Sequence, residues 1–357
     1  MTSKERVVSA LHCALPLGER VPVNYMANAG IDARLKAHFG LEAGDDEGLR
    51  KALGVDFRGV GAGYTGSKLH ADIPERGILV DDWGIRRRWV EHPSGGYWDY
   101  CDFPLMDATE EEVAAWPMPS PDDFDYSHVA DACREYAPYG VGAGNAGLGD
   151  VINGTSMLRG MEQFLVDLVT RDPAGLLLAK RRCGILLEIL SRTLEAAKGG
   201  VDFVWMGEDL GTQIGPMISL DLYRERIRPL HQPFIDCAKS HGLPVMVHTC
   251  GSSSWVYEDF IEMGVDAVDT LQPEAVHMSP EYLRDHFGGR LAFHGAISTA
   301  GPVATGTVAE TIADCRRTLG ILAPTGGYLF SPAHMLQDNS PTENVLALYE
   351  TAREWRG

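Results

Sequence analysis

Eight short segments, each rich in β-branched or small apolar residues and each ending at or within two residues of glycine or a polar residue, set the strongest limit on how this chain can fold. They are Val21–Met26, Phe57–Ala62, Tyr139–Asn145, Phe203–Gly207, Val245–His248, Ala267–Leu271, Leu291–His294 and Tyr328–Ser331. Most are separated by stretches with apolar residues at three- and four-residue spacing: Met161–Leu168, Leu176–Ala197, Leu220–Ser240, Ser253–Met263, Pro280–Phe287 and Val308–Ile321. That spacing is helical. Strands that alternate with helices pair in parallel, so eight such units predict an α/β protein, a closed (β/α)8 TIM barrel rather than an open sheet. A doubly wound dinucleotide fold is disfavoured, because no GxGxxG follows the first strand and the tract Gly142–Gly149 lacks that spacing.

The second and third strand segments lie about 75 residues apart, far more than one crossover helix needs. Within that gap Ile78–Val90 and Gly95–Tyr100 have strand-like composition around a turn from Pro93 to Gly96, followed by the Pro/Asp-rich connector Pro117–Asp125. The expectation is one domain over 1–357, a barrel with a β-hairpin insertion at about 65–135 between strands 2 and 3. A chain of 357 residues suits one large barrel with insertions.

Charge narrows the partners. Lys plus Arg number 31 against 50 Asp plus Glu, a formal charge of −19. Such a surface repels phosphate backbones and anionic lipid, so neither a nucleic acid nor a membrane is expected as partner. No apolar run approaches the ~18 residues of a membrane span. The seven cysteines form no CxxC pair and the opening Met1–Arg6 is polar, so a reduced, cytoplasmic protein is expected.

Catalytic groups of such barrels stand at the C-terminal ends of strands. Those ends carry Asn28, Tyr64, Asn145, Glu208 with Asp209, His248 with Cys250, Gln272, His294 and His334. Polar groups beside buried strands need partners, and function accounts for so many of them better than packing does. His248 and Cys250 are two apart, so both point to one side of an extended segment. An imidazole and a thiolate side by side suit zinc, which needs at least a third protein ligand. Glu208, His334 and His294 are the candidates. The bland alternative is a buried cysteine beside a hydrogen-bonded core histidine. Of Glu208 and Asp209, one can ligate a metal or act as general base while the other points elsewhere; the alternative is a charge favouring the next helix dipole. His231, His241, His277 and His286 are given no role. Trp83, Trp89 and Trp98 line a substrate pocket or pack the insertion.

Several of these residues fall in recognisable runs. Gly160-Met-Glu-Gln-Phe164, Gly207-Glu-Asp-Leu-Gly-Thr-Gln213, His248-Thr-Cys-Gly251, Leu291–Ser298, Ser331-Pro-Ala-His334 and Ser340-Pro-Thr-Glu-Asn344 resemble the uroporphyrinogen decarboxylase superfamily. Pro22–Met26 and Asp82-Trp-Gly84 extend the resemblance to nearly the whole chain. That superfamily comprises decarboxylases and corrinoid-dependent methyltransferases on the (β/α)8 barrel. The decarboxylases share an Arg-Gln-Ala-Gly-Arg segment that holds porphyrinogen carboxylates; this chain has Ala27-Asn-Ala-Gly-Ile31 there, without either arginine. The methyltransferase branch has a His-x-Cys zinc pair, which His248 and Cys250 match, and commonly a further Cys after the last strand, where this chain has His334.

The resemblance therefore implies a zinc-dependent methyltransferase that moves a methyl group between a corrinoid (cobalamin) on a partner protein and a small thiol or methoxy substrate. Its implied metal ligands are His248 and Cys250 with His334 or Glu208. Glu208, Asp209 and His334 are the implied catalytic groups, and Asn145, Tyr64, Gln272 and His294 the implied substrate contacts. The alternatives are a metal-free decarboxylase or lyase of a small carboxylic acid, using His334 and Asp209 as acid and base, and a non-catalytic subunit docking on a corrinoid protein. Relatives of this kind are commonly homodimers.

Overall fold

The computed structural model describes residues 1–92 and 95–356. Its centre is a seven-stranded parallel sheet of β1 (Phe57–Val60), β2 (Gly140–Gly144), β3 (Phe203–Gly207), β4 (Val245–Thr249), β5 (Ala267–Thr270), β6 (Ala292–Ile297) and β7 (Tyr328–Pro332). The strands lie side by side in chain order. Every residue of β5, β6 and β7 is buried, as expected of a parallel sheet covered by helices. The sheet curls, and the segment Val21–Ala27 joins its two edges. Asn24 N–H donates to Phe330 O and Phe330 N–H to Pro22 O, each at 2.8 Å, while Asp56 N–H donates to Val23 O at 2.8 Å beside β1.

That segment, expected as a regular strand over Val21–Met26, makes only isolated bridges at Val23 and Ala27. Two local causes interrupt the ladder. Pro22 has no N–H to give, and the Tyr25 N–H donates to the Asn24 side chain at 2.9 Å. The expected helix over Leu220–Ser240 is also divided, with a π-turn at Tyr223–Ile227 between Leu220–Leu222 and Arg228–Ser240. Pro229 and Pro233 remove two donors from the regular ladder there, which favours the wider turn. The helix Pro173–Ala197 starts on an N-cap Asp172 with proline at its first position, an unstrained start.

Between β1 and β2 the chain forms smaller antiparallel pairings. Ile78–Val80 pairs with Arg86–His92, which pairs with Gly95–Tyr100, and Gly63–Tyr64 pairs with Phe124–Asp125. Ile78–Val90, expected as one strand, is broken at Asp81, whose Oδ1 accepts the N–H groups of Trp83 and Ile85 at 3.0 and 2.9 Å. Pro93 and Ser94 of the expected turn lie outside the described residues. A small core of Ile85, Leu105, Val113, Leu158, Ala174 and Leu178 seats this region. Arg159 fastens it, donating to Leu105 O and Ala108 O at 2.8 and 2.7 Å and pairing with buried Asp167 at 2.8 Å. Among the described residues, no helix is long and apolar enough to cross a membrane.

Candidate functional site

Strand register builds the site. Asp269 on β5 stands opposite His248 on β4 and opposite His294 on β6, so the three share one level and one face of the sheet. The buried Asp269 carboxylate takes a ring nitrogen from each side: His248 Nδ1 at 2.7 Å and His294 Nδ1 at 2.5 Å. Thr270 Oγ1 also reaches His248 Nδ1 at 2.6 Å. With Nδ1 engaged, His248 Nε2 faces the site, 3.4 Å from Cys250 Sγ and 3.7 Å from Asp209 Oδ1.

Asp209 is itself held. Its Oδ1 accepts the Cys250 N–H at 2.9 Å and its Oδ2 accepts Asn153 Nδ2 at 2.8 Å. One ligand atom each from Asp209, His248 and Cys250 lies within 4.8 Å of the other two. The loop that brings them together depends on close backbone approach. Gly251, at φ +70°, would place a Cβ 2.3 Å from Gly211 O, and its N–H donates to Gln272 Oε1 at 2.6 Å. Thr270 adopts φ +87°, a strained conformation for a β-branched residue. Gly295 permits it, since a Cβ there would stand 2.2 Å from Thr270 O.

The protonation of the site follows from burial and neighbours. Burial disfavours the His248 cation, but the Asp269 and Cys250 side chains outweigh it and hold the imidazole well above its ordinary pKa. Burial also opposes charge on Asp269, yet His294 and His248 keep its carboxyl below the usual range. Burial raises the Cys250 thiol, offset only in part by His248. A bound divalent cation reverses that last effect, because coordination favours the thiolate.

The other expected site residues are dispersed. Asn145 and His334 are exposed and line, with His248, Tyr25, Met26 and Trp205, a cavity of about 490 Å³. His334 is not one of the three clustered ligand groups. Gln272 acts on the loop through Gly251. Tyr64 donates to Ser67 O at 2.8 Å and packs on Phe124, outside that cavity. His294 is fully buried, its Nε2 3.1 Å from Asn24 Nδ2.

Glu208 points away from its neighbour Asp209. Its buried carboxylate accepts the N–H groups of Val151 and Ile152, both at 2.9 Å, at the start of the helix Ile152–Arg159, and lies 3.2 Å from His231 Nε2. Burial raises its pKa to about 8 against the pull of those hydrogen bonds, and lowers that of His231 to about 4. His231, given no role from sequence, is thus part of a buried polar pair. Asp269, Thr270 and Asn153 were not singled out. The sequence signal for Asp269 is an acid inside an apolar strand segment, with a histidine in each of the neighbouring strand segments.

Residues 151–355 match the family model described as uroporphyrinogen decarboxylase (URO-D). The chain belongs to the uroporphyrinogen decarboxylase family. The matched stretch contains Asp209, His248, Cys250 and Asp269, while Tyr25 and the antiparallel strands lie before it. No curated protein matches the chain. Among solved structures, a methyltransferase from Methanosarcina mazei is similar over 99% of both chains, with a TM-score of 0.63 and 17% sequence identity. At that identity the likeness shows a shared fold for this family member.

Proposed function

We propose that this member of the uroporphyrinogen decarboxylase family is a zinc-dependent methyltransferase on a (β/α)8 barrel, with Val21–Ala27 as its eighth strand. One observation carries the reading: His248 Nε2, Cys250 Sγ and an Asp209 oxygen converge, and the far side of the imidazole is fixed by Asp269. Nitrogen, sulfur and oxygen donors form a set that zinc accepts, and three protein ligands leave a position for substrate. A carboxylate behind a ligating histidine is the usual means of fixing its tautomer and raising its basicity. Asp209 takes the third place, for which His334 and Glu208 were the expected candidates.

Zinc held there would act as a Lewis acid on a substrate thiol or on the oxygen of a methoxy compound. The chain's own residues do the rest. Asp269 and Thr270 fix the His248 ring with Nε2 forward, and a bound zinc would take the place of the proton that Asp269 otherwise favours there. Asn153 and the Cys250 N–H orient Asp209. Tyr25, Trp205 and Asn145 form walls that orient the substrate and limit water. A corrinoid on a partner protein would supply or accept the methyl group, and the exposed His334 and Met335 stand at the rim of the cavity that it would have to reach. The structure of a methyltransferase with the same fold is consistent with this chemistry.

The test is metal content joined to turnover. Purified protein is expected to carry about one zinc per chain, lost in Cys250→Ala. Mixing the protein with methylcobalamin and candidate thiols is expected to change the corrinoid absorbance only in the zinc-loaded form. Full activity in metal-free protein sinks the proposal and favours a decarboxylase or lyase.

A further inference from the structure

A second cavity, of about 440 Å³, shares Asn145 with the first and extends between the ends of β1 and β2, the helix Pro173–Ala197 and the segment carrying Trp83. Arg182 lines it and is 7% exposed. Its guanidinium makes one long hydrogen bond, Nη1 to Asp150 O at 3.5 Å, and its Nε has no partner. Among the described residues it forms no ion pair. The acids that line the same cavity are engaged elsewhere. Asp81 is paired with Arg87 at 2.6 Å, and Asp150 Oδ1 accepts the Asn153 N–H at 3.0 Å.

An arginine stays charged in a protein, and a buried charge without a counter-ion is costly. The seat is nevertheless built for it. A Cβ at Gly154 would stand 2.1 Å from Arg182 Nη1, so glycine leaves room for the guanidinium against the helix Ile152–Arg159. Trp83 presents its ring 5.3 Å from Arg182 Cζ. Ile85, Met157, Leu186 and Leu190 supply apolar wall. A planar cation in such walls matches a planar anion with an apolar body.

We propose that this cavity binds a small monocarboxylic acid with a flat apolar body, its carboxylate on Arg182 and its body along Trp83. Because Asn145 borders both cavities, the acid is the substrate whose far end enters the first cavity, which His248 lines. That second statement rests on the methyl-transfer reading; the binding of the acid does not.

Calorimetric titration of the full chain with benzoate, benzamide and inorganic phosphate tests it. Benzoate is expected to bind, with benzamide at least about tenfold weaker for want of the charge and phosphate weaker still. Arg182→Gln, checked for folding by circular dichroism, is expected to weaken benzoate by a similar factor and to remove the preference over benzamide. Equal binding of benzoate and benzamide by the wild-type protein overturns the proposal without any variant. So does a preference for phosphate, or an affinity unchanged in folded Arg182→Gln. Cys250→Ala separates the two readings: it is expected to lose zinc and keep benzoate. Benzoate binding by a wild-type protein that takes no zinc would leave the acid site standing and remove the methyl-transfer reading.

Discussion

His248 Nδ1 lies 2.7 Å from the buried carboxylate of Asp269, and the two residues face each other at one level of adjacent strands. The acid sets which imidazole nitrogen is free, so its effect is exerted through His248. Asp269→Asn is expected to lower zinc affinity about 10- to 100-fold. Competition against a chromophoric chelator measures this directly. Unchanged affinity would show that the tautomer is fixed by Thr270 alone.

Asp209 and Glu208 are neighbours in sequence with opposite assignments. Asp209→Asn is expected to release zinc, since it removes the anionic oxygen of the three-ligand cluster. Glu208→Gln is expected to keep zinc, because that carboxylate faces Val151, Ile152 and His231. Zinc stoichiometry of the two variants, measured side by side, distinguishes the assignments; the reverse result would return Glu208 to the metal.

Stability should fall as pH rises above neutrality. Glu208 has its pKa raised to about 8 by burial, against roughly 4.3 when unfolded. The folded state therefore binds the extra proton between those values, and the stability it confers is lost as pH rises through about 8. Burial pushes Asp150 well above the usual carboxylate range in the same sense, aided by Glu208. His231 works oppositely. Its pKa is lowered to about 4, so its contribution is complete above roughly 6.5 and is lost as pH falls toward the folded value. The two effects offset one another in mildly acidic solution. From about pH 6.5 to 8, Glu208 alone should cost about 2 kcal/mol. Chemical denaturation of zinc-free protein across that range reads the slope, and Glu208→Gln is expected to flatten it.

Gly295→Ala is expected to destabilise the fold by about 3 kcal/mol. The added Cβ would meet the Thr270 carbonyl at 2.2 Å, and Thr270 cannot retreat without releasing His248. Zinc affinity should therefore fall together with the denaturation midpoint. A stable Gly295→Ala protein with full zinc affinity would show that the Thr270 conformation is dispensable.

The parallel strands were legible because burial on both faces writes itself as short apolar runs, and Phe203–Gly207 matches its expected bounds. The split at Asp81 was not, because a side-chain oxygen capturing two N–H groups leaves no mark on apolar periodicity. At the site, His248 and Cys250 were legible from their spacing on one extended segment. The choice between Glu208 and Asp209 was not. It depends on which carboxylate meets the start of the helix Ile152–Arg159, a long-range relation that composition does not encode. Asp269 was missed for the opposite reason. Its sequence position was plain, but its meaning appears only when the register sets two histidines beside it.

The seam of the sheet has a further consequence. Val23 bridges Phe330 and Ala27 bridges Leu336, so this seam joins positions about 300 residues apart and closes a long loop. Tyr25 and Met26, on this same seam, line the first cavity. The mouth therefore depends on contact between the two ends of the chain, whereas the strands that carry His248 and Asp269 pair with neighbours 21 to 41 residues away in sequence.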